Sequence, residues 1–275
     1  MNGATNLFCG SCGFRLSTAA KPASAPPPQL NQAAAAAAAG PVASSPVGSA
    51  LPATTKAPES AQKGPQVVLT ALRADGSEAG SYTLPASTCT IGRETGGIFA
   101  GDSYLSPRHA TFKAAGPTKV TVRDETSLNG VYRKLVRDVP VDLKANDTFR
   151  IGQEIIKFEP LSAQAAPTDG VERLGSPSKG YIGRIALVIG RETTGNAFPV
   201  PEGGIHLGRE RGDVLFPEDG YVSGLHCRIG QEAGRVTLTD LGSSNGSFLR
   251  LREEAEVKSG DVLLMGQQLF RVAIG

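Results

Sequence analysis

Two segments of this 275-residue chain repeat the same three short motifs in the same order. The motifs are Gly-Arg, Ser-x-x-His and Asn-Gly, found first at Gly92-Arg93, Ser106–His109 and Asn129-Gly130, and again at Gly208-Arg209, Ser223–His226 and Asn245-Gly246. The Gly-to-Ser spacing is 14 and 15 residues in the two copies, and the His-to-Asn spacing is 20 and 19. Matched spacing in two diverged copies predicts two domains of one fold.

Short apolar and β-branched runs lie between and after these motifs. Examples are Lys119–Arg123, Arg235–Thr239, Val262–Met265 and Leu269–Ile274. Gly, Asn or Asp clusters bound most of them, and no segment after residue 64 keeps a helical period. Many short strands predict an all-β fold with one β-sandwich in each copy. Loops at one end of such a sandwich are natural binding sites, because a rigid scaffold holds them.

Composition divides the rest of the chain into linkers. Residues 17–64 are rich in Ala, Pro and Ser, so we expect a disordered linker there. A second polar stretch separates the two copies. The predicted organisation is a cysteine-containing segment at 1–16, a linker at 17–64, a first domain at 65–161, a linker at 162–179 and a second domain at 180–275.

Charge and hydropathy exclude two classes of partner. The formal net charge is only +2, and residues 1–64 hold four basic residues against one acidic residue. A nucleic-acid binder usually carries a strongly basic patch, so we expect no nucleic-acid partner. No apolar run approaches the roughly 20 residues that a membrane span needs, and the N-terminus lacks the layout of a signal peptide. We therefore expect no membrane association and a cytoplasmic location, which the four cysteines also fit.

The ordered motif set, present twice, resembles the forkhead-associated (FHA) family. The resemblance covers roughly residues 66–160 and 180–275, and each copy carries all three motifs. It implies two tandem FHA-type β-sandwiches whose apical loops bind phosphothreonine peptides. The implied function is a phosphothreonine-dependent adaptor in Ser/Thr kinase signalling. Its partners would be phosphorylated proteins, either kinase substrates or the kinase itself.

The residue types suit that function. A phosphate dianion is best bound by an Arg guanidinium, small hydroxyls and backbone N–H groups. The expected phosphopeptide-binding residues are Arg209, Ser223, Ser244 and Asn245 in the second copy, and Arg93, Ser106, Arg108 and Asn129 in the first. The expected structural braces of the loops are His109, His226, Gly92, Gly208, Gly130 and Gly246. Asp124 and Asp240, five residues before each Asn, should help to order the same loops.

The two copies differ at positions that matter for phosphate. The second copy has Ser244 before its Asn, whereas the first has Leu128, which cannot donate a hydrogen bond. The first copy also has Pro107, which has no backbone N–H, although it adds Arg108. We therefore expect the second copy to be the competent reader and the first to be weaker or a scaffolding partner.

Two other functions compete with phosphothreonine binding. Each Ser-x-x-His could supply a nucleophile and a base, but a hydrolase would also need an orienting acid and an oxyanion hole, and no G-x-S-x-G surrounds these serines. We therefore predict that the chain is not an enzyme and requires no cofactor. The remaining alternative is a phosphate-independent scaffold that docks proteins through the same folds.

Cys9-Gly-Ser-Cys12-Gly, near the N-terminus, resembles one half of a zinc ribbon. Structural zinc needs four ligands, and Cys89 and Cys227 lie inside the repeats, so they are poor candidates for the other half. Three interpretations stay open: a zinc site completed by another chain or by upstream residues, a redox pair, and a remnant without metal. If zinc binds, its ligands here are Cys9 and Cys12.

Overall fold

The computed structural model describes residues 65–116, 119–161, 168, 170–171, 175–191 and 193–275. The predicted segment 1–16 with Cys9 and Cys12, the predicted linker 17–64, and most of the predicted linker 162–179 lie outside the described residues. The zinc prediction therefore stays a prediction.

The described residues form β-strands joined by turns, with two 3₁₀ turns at Arg93–Thr95 and Gly97–Phe99. The strands of the N-terminal repeat (65–161) are β1 Val67–Leu72, β2 Glu78–Thr83, β3 Thr88–Ile91, β4 Ala110–Ala114, β5 Val120–Asp124, β6 Val131–Lys134, β7 Val141–Asp142, β8 Thr148–Ile151 and β9 Glu154–Pro160. The strands of the C-terminal repeat (180–275) are β10 Tyr181–Val188, β11 Thr194–Pro201, β12 Ile205–Gly208, β13 Val214–Leu215, β14 Cys227–Glu232, β15 Arg235–Asp240, β16 Ser247–Arg250, β17 Ala255–Val257, β18 Val262–Met265 and β19 Gln268–Ile274. The all-β prediction is confirmed. Within the described ranges, no helix has the length and hydropathy needed to cross a membrane.

The strands assemble into one ten-stranded sheet and two smaller sheets. The large sheet has the order β11-β10-β9-β8-β16-β6-β18-β19-β1-β2, and the smaller sheets are β13-β12-β14-β15-β7 and β17-β5-β4-β3. Each small sheet covers one half of the large sheet, because the two main apolar cores lie on opposite halves of it. We call β1–β6 with β17–β19 the first sandwich, and β7–β16 the second sandwich.

Each sandwich contains strands from both repeats. The first strand of the chain, β1, pairs with the last, β19, so that Leu69 lies opposite Val272. Likewise, β9 pairs with β10, although they belong to different repeats. The chain passes into the second sandwich after Lys134 and returns to the first after Arg250, where β6 and β16 pair with each other. The predicted boundaries 65–161 and 180–275 thus describe the sequence repeats, whereas the packed units exchange their C-terminal strands.

The exchange is built into the apolar cores. In the first sandwich, Phe99 of the N-terminal repeat contacts Phe270 of the C-terminal repeat, with ring centroids 5.3 Å apart. Both side chains are fully buried. In the second sandwich, Phe149 and Ile156 of the N-terminal repeat pack in one cluster with Ile229 of the C-terminal repeat. Aromatic and aliphatic burial of this kind contributes about 1.5–3 kcal/mol for each side chain, so each core depends on residues from both repeats.

Candidate functional site

The three motifs of each repeat meet at one end of a sandwich. We call the loops 92–95, 102–108 and 124–130 of the first sandwich the Ser106 site. The loops 208–211, 219–225 and 240–246 of the second sandwich form the Ser223 site. The hydrogen bonds made by the arginine backbone, the serine, the histidine and the asparagine recur in both sites.

A glycine at the end of a strand lets two loops touch in each site. A Cβ added to Gly92 would lie 2.2 Å from the carbonyl oxygen of Pro107, and a Cβ added to Gly208 would lie 2.4 Å from that of Gly224. A side chain at either glycine would therefore clash with backbone that has little freedom to move. The close approach allows Arg209 N–H to donate to Ser223 O at 2.9 Å, and Arg93 N–H to donate to Ser106 O at 3.0 Å. These bonds hold each arginine beside its serine.

A fully buried histidine braces each serine loop. His226 Nδ1 accepts from the Ser223 backbone N–H at 3.0 Å, and its Nε2 donates to Gly246 O at 3.2 Å. His109 makes the matching bonds to Ser106 N and Gly130 O, at 3.1 and 3.0 Å. Burial lowers the pKa of both histidines, and the carbonyl acceptors oppose that shift only partly. Each ring is therefore neutral, with its proton on Nε2, and joins two of the three loops.

An Asp-to-Ser turn shapes the third loop of the Ser223 site. Asp240 accepts from the backbone N–H groups of Gly242 and Ser243 and from the hydroxyls of Ser243 and Ser247. Burial by itself would raise the pKa of Asp240, but these hydrogen bonds outweigh burial and lower it. In the Ser106 site, Asp124 makes a single bond of this kind, from Ser127 N–H at 3.0 Å. The more completely bonded turn belongs to the Ser223 site.

The two serine hydroxyls have matching environments. Ser223 Oγ accepts from the backbone N–H of Ser244 at 3.0 Å, and Ser106 Oγ accepts from that of Leu128 at 3.0 Å. Each bond uses a lone pair of the hydroxyl and leaves its proton available for an acceptor such as a phosphate oxygen. Ser244 is exposed next to Ser223, whereas Leu128 presents a side chain that is 63% exposed.

The asparagines connect the second and third loops. Asn245 Nδ2 donates to Tyr221 O at 2.8 Å, and Asn129 Nδ2 donates to Tyr104 O at 2.7 Å. These bonds hold each asparagine over the serine loop. Its Oδ1 remains the atom suited to accept from the backbone of a ligand.

The arginines of the two sites differ in their surroundings. Arg209 is bonded to its neighbour Glu210, whose Oε1 lies 2.7 Å from Nη2 and 3.2 Å from Nε. Arg93 is exposed, as is Arg108, which borders an open depression together with Glu94 and Pro107. The Ser106 site thus has two exposed arginines, whereas the Ser223 site has Arg209, held in place by a carboxylate, and the exposed Arg211.

A further pair of aspartates, outside the three sequence motifs, supports the serine loops of the two sites. Asp219 accepts from Tyr221 N–H at 2.8 Å through Oδ1, and from Gln153 N–H at 2.6 Å through Oδ2. Asp102 likewise accepts from Tyr104 N–H at 2.8 Å and from Gln267 N–H at 2.7 Å. The repeated Asp-x-Tyr and Gly-Gln pairs could have drawn attention to these residues. Gln153 and Gln267 each lie in the other repeat from the aspartate to which they donate, and the motif spacing does not reveal this pairing.

The described residues of both sites contain no group of three or more His, Cys, Asp or Glu side chains able to hold a metal ion. The arrangement is suited to binding an anion rather than a metal. It presents an arginine, a hydroxyl and an asparagine at the end of a rigid sandwich.

Sequence comparison agrees with this geometry. The family model described as the FHA domain matches residues 89–152 and 188–266, together just over half of the chain. The chain belongs to the FHA family. Both matched FHA segments contain the Gly-Arg, Ser-x-x-His and Asn-Gly motifs of one site, and no curated protein matches the chain.

Two solved FHA structures are similar to part of the chain. One is a crystal structure of the FhaA FHA domain complexed with the intracellular domain of Rv3910. It is 26% identical, covers 28% of this chain and 88% of its own, and has a TM-score of 0.17. The other comes from a structural and functional analysis of phosphothreonine-dependent FHA domain interactions. It is 25% identical, covers 30% of this chain and 90% of its own, and has the same TM-score of 0.17.

Proposed function

We propose that this FHA protein is a non-enzymatic adaptor that binds phosphothreonine-containing segments of other proteins. The observation that carries the proposal is the shared hydrogen-bond set, which brings an arginine, a serine hydroxyl and an asparagine to one end of each sandwich. A phosphate dianion would accept from the guanidinium and the hydroxyl through charge-assisted bonds. The asparagine would bond the backbone of the bound segment.

The Ser223 site is the proposed primary reader. It offers two hydroxyls, from Ser223 and Ser244, and its third loop is the better ordered of the two. The Ser106 site replaces the second hydroxyl with Leu128 and places Pro107 after its serine, so it loses two donors. It adds Arg108 in its serine loop, where the Ser223 site has Leu225. We therefore expect the Ser106 site to bind phosphate more weakly.

The histidine geometry supports a binding role over a catalytic one. A general base for Ser223 would need a free ring nitrogen within hydrogen-bond reach of the hydroxyl. Both nitrogens of His226 are already bonded to backbone groups, and the Ser223 hydroxyl bonds the Ser244 N–H instead. FHA domains are protein-interaction modules, and the chain would act by recognition alone.

The proposed partners are proteins phosphorylated by a Ser/Thr kinase, or that kinase itself, because such enzymes make phosphothreonine. A cytoplasmic location would give access to them. Binding of a phosphorylated segment by these side chains would need no cofactor.

Phosphate-independent docking is a second candidate for the Ser106 site alone. Leu128 is 63% exposed and stands where the Ser223 site has Ser244, whereas an exposed tyrosine is common to both sites, Tyr104 at 51% and Tyr221 at 55%. A larger contiguous apolar surface marks a protein-interaction site, and Leu128 enlarges the apolar surface of the Ser106 site. Under this alternative, an unphosphorylated protein segment would bind the Ser106 site, while the Ser223 site would remain the phosphate reader.

Arginine substitution in the full chain tests the proposal. A hydrogen bond to a charged group contributes about 1.5–3 kcal/mol, so Arg209→Ala should weaken phosphothreonine-peptide binding roughly ten- to hundredfold. Arg93→Ala should have a smaller effect. Fluorescence anisotropy with a labelled peptide library, phosphorylated and unphosphorylated, measures both changes.

The control is Arg235→Ala, because Arg235 begins β15 at the end of the strand away from Asp240 and pairs with Asp142. This variant should bind as the wild type does. Equal binding of phosphorylated and unphosphorylated peptides by the wild type would reject phosphothreonine recognition and favour the phosphate-independent scaffold. An unchanged affinity for Arg209→Ala would remove Arg209 from the site.

A further inference from the structure

The strand exchange places a segment of the N-terminal repeat against the third loop of the Ser223 site. After β6, Leu135 N–H donates to Ser247 O at 2.8 Å, and Asp138 N–H donates to Asp240 O at 2.9 Å. These two bonds fix residues 135–138 alongside loop 240–246. The three motifs of the Ser223 site all lie in the C-terminal repeat. The site is nevertheless bordered by residues of the N-terminal repeat.

Arg137 lies directly on that loop. A Cβ added to Gly242 would lie 2.4 Å from Cζ of Arg137 and 2.5 Å from its Nε, so the guanidinium occupies the space that the missing side chain leaves. Gly242 also has a φ of 79°, a conformation that favours glycine. Gly242 precedes Ser244 by only two residues, which places the cation at the rim of the proposed phosphopeptide site.

A second cation, Lys134 at the end of β6, lies against the same loop. A Cβ added to Gly246 would lie 2.3 Å from Cε of Lys134, and the Lys134 ammonium is 6.0 Å from the centroid of the Phe248 ring. Lys134 is half-buried, whereas the Arg137 side chain is 72% exposed. Lys134 thus adds positive potential, and Arg137 is the cation that a ligand can reach.

The carboxylates near Arg137 leave part of its guanidinium available. Asp138 accepts from Nε at 3.0 Å and is itself 64% exposed. Asp240, on the other side, is occupied by Ser243 and Ser247 and by two backbone N–H groups. An arginine has five N–H donors in a planar fork, so a pairing through Nε leaves the two terminal nitrogens for another carboxylate.

The exchange decides which repeat supplies the segment beside each site. The two repeats align with an offset of 116 residues at Asn129 and Asn245, whereas β7 and β17 align with an offset of 114, because Leu238 lies opposite Val141 and its equivalent Val122 lies opposite Ala255. The N-terminal repeat therefore has two additional residues between Leu135 and Val141, in the segment that contains Arg137. In the exchanged fold, Leu251 N–H donates to Val131 O at 2.8 Å, which places the segment containing Glu253 beside the first sandwich. Each sandwich therefore receives this segment from the other repeat. In the exchanged fold, Arg137 belongs to the segment beside the Ser223 site, and Glu253 belongs to the segment beside the first sandwich.

We propose that Arg137 is a specificity-determining residue of the Ser223 site, which selects phosphothreonine segments that carry Asp or Glu close to the phosphothreonine. The proposal rests on the proposed phosphothreonine function of that site. Arg137 would contact the ligand's carboxylate, and Lys134 would strengthen the local positive potential.

The test uses the full chain with Arg93→Ala, so that the Ser223 site is measured alone. Two sets of labelled phosphothreonine peptides are compared, one with alanine and one with aspartate at single positions flanking the phosphothreonine. An exposed ion pair is typically worth about two- to fivefold in affinity. We expect at least one aspartate position to improve binding by that factor, and the gain should shrink as salt is raised. Arg137→Glu should bring the ratio of the two affinities to about one or below.

Glu253→Arg is the matched control, because Glu253 lies in the corresponding segment of the C-terminal repeat, which borders the first sandwich. It should leave the aspartate preference of the Ser223 site unchanged. A preference that responds to Glu253→Arg and not to Arg137→Glu would overturn the proposal. So would a wild type that binds the alanine phosphopeptides without any aspartate preference, and this outcome would leave the proposed function standing. If no phosphothreonine peptide binds at all, the proposed function itself fails.

Discussion

At the scale of single residues, a buried histidine organises each site by bonding through both ring nitrogens. His226 connects the serine loop to the Asn-Gly loop, and His109 does the same in the first sandwich. Serine, arginine and asparagine can then face a ligand, because the backbone beneath them is held in place. Binding residues and bracing residues are thus separate, which makes their effects on affinity and stability separable.

His226→Ala should lower the stability of the protein, and neither the wild type nor the variant should hydrolyse an ester or phosphate substrate. Truncation removes two buried hydrogen bonds and strands their backbone partners, at a cost of about 1–3 kcal/mol for each group. The total cost is about 2–6 kcal/mol. For a folded unit of this size, each kcal/mol shifts the melting temperature by about 2–4 °C, so we expect a decrease of roughly 4–24 °C. Differential scanning calorimetry and a parallel assay for ester or phosphate hydrolysis check the two parts. The bracing role of His226 would be contradicted if the wild type hydrolysed the substrate and the His226→Ala variant were as stable as the wild type.

Stability should fall as the solution becomes mildly acidic. Burial lowers the pKa of His109 and His226 below the ordinary value of about 6.5, so near and below that value the unfolded chain binds protons that the folded chain does not. The stabilising contribution is complete above about pH 6.5 and is lost as the pH falls from there toward the folded-state pKa. The slope is at most about 1.4 kcal/mol per pH unit for each histidine.

Chemical denaturation between pH 7.5 and 5.5 measures this slope. The double variant His109→Gln with His226→Gln, although less stable, should show a flatter dependence over the same range. An equal slope in the variant and the wild type would assign the acid sensitivity to other groups.

At the scale of structural elements, the recognition loops of one repeat are clamped by turns of the other. The turn between β8 and β9 donates from Gln153 to Asp219, and the turn between β18 and β19 donates from Gln267 to Asp102. Each clamp holds the loop whose tyrosine carbonyl accepts from the site's asparagine. Loop order in one repeat is therefore coupled to strand pairing in the other.

Asp219→Ala should loosen the Ser223 site without removing a side chain expected to contact the phosphopeptide. The substitution removes the acceptor for the N–H groups of Gln153 and Tyr221, so local opening should become easier by about 1–3 kcal/mol. We expect faster amide hydrogen exchange in residues 219–224 and weaker phosphopeptide binding at the Ser223 site. Asp102→Ala is the matched control and should affect the Ser106 site instead. Unchanged exchange in residues 219–224 would show that the clamp does not order the loop.

One cross-strand ion pair favours the exchanged pairing of β9 with β10. Arg184 of β10 donates to Glu159 of β9 at 2.6 Å, whereas the Lys157–Glu159 pair at 3.1 Å lies within β9 itself. Hydrogen bonds from Arg184 and then Lys157 lower the pKa of Glu159. By repeat equivalence, consecutive pairing would set Glu159 opposite Val68 and lose the pair with Arg184. An exposed pair contributes only about 0.2–1 kcal/mol, so it biases the choice of partner without deciding it alone.

At the scale of the whole molecule, much of the architecture could be predicted from the sequence, and the strand exchange could not. Motif spacing and short β-branched runs indicate an all-β chain with two related sites, and the structure brings each site's predicted residues together. Alternation along a strand specifies which face is buried, but it does not specify which copy supplies the neighbour. Because β1 and β10 are equivalent in the two repeats, β9 is suited to either of them.

The same limitation explains the site residues that the motifs did not reveal. Arg137 reaches the Ser223 site only because the chain passes from one sandwich to the other after Lys134. Asp102 meets Gln267 across 165 residues of sequence. Contacts of this range follow from topology, and the local pattern around Asp102 contains no sign of its partner.

The strand exchange is tested most directly by disulfide trapping at β1. Val68 lies opposite Ala273 in the exchanged fold, and Glu159 is the repeat equivalent of Ala273. Opposed residues in antiparallel strands have Cα atoms about 4.5–5.5 Å apart, within the range for a disulfide. Two double-cysteine chains are made with Cys9 and Cys12 replaced by serine, one with Val68→Cys and Ala273→Cys, the other with Val68→Cys and Glu159→Cys. After mild oxidation of dilute monomer, peptide mass mapping should find the 68–273 disulfide and no 68–159 disulfide. Efficient formation of the 68–159 bond, with none at 68–273, would contradict the exchange and restore two consecutive sandwiches.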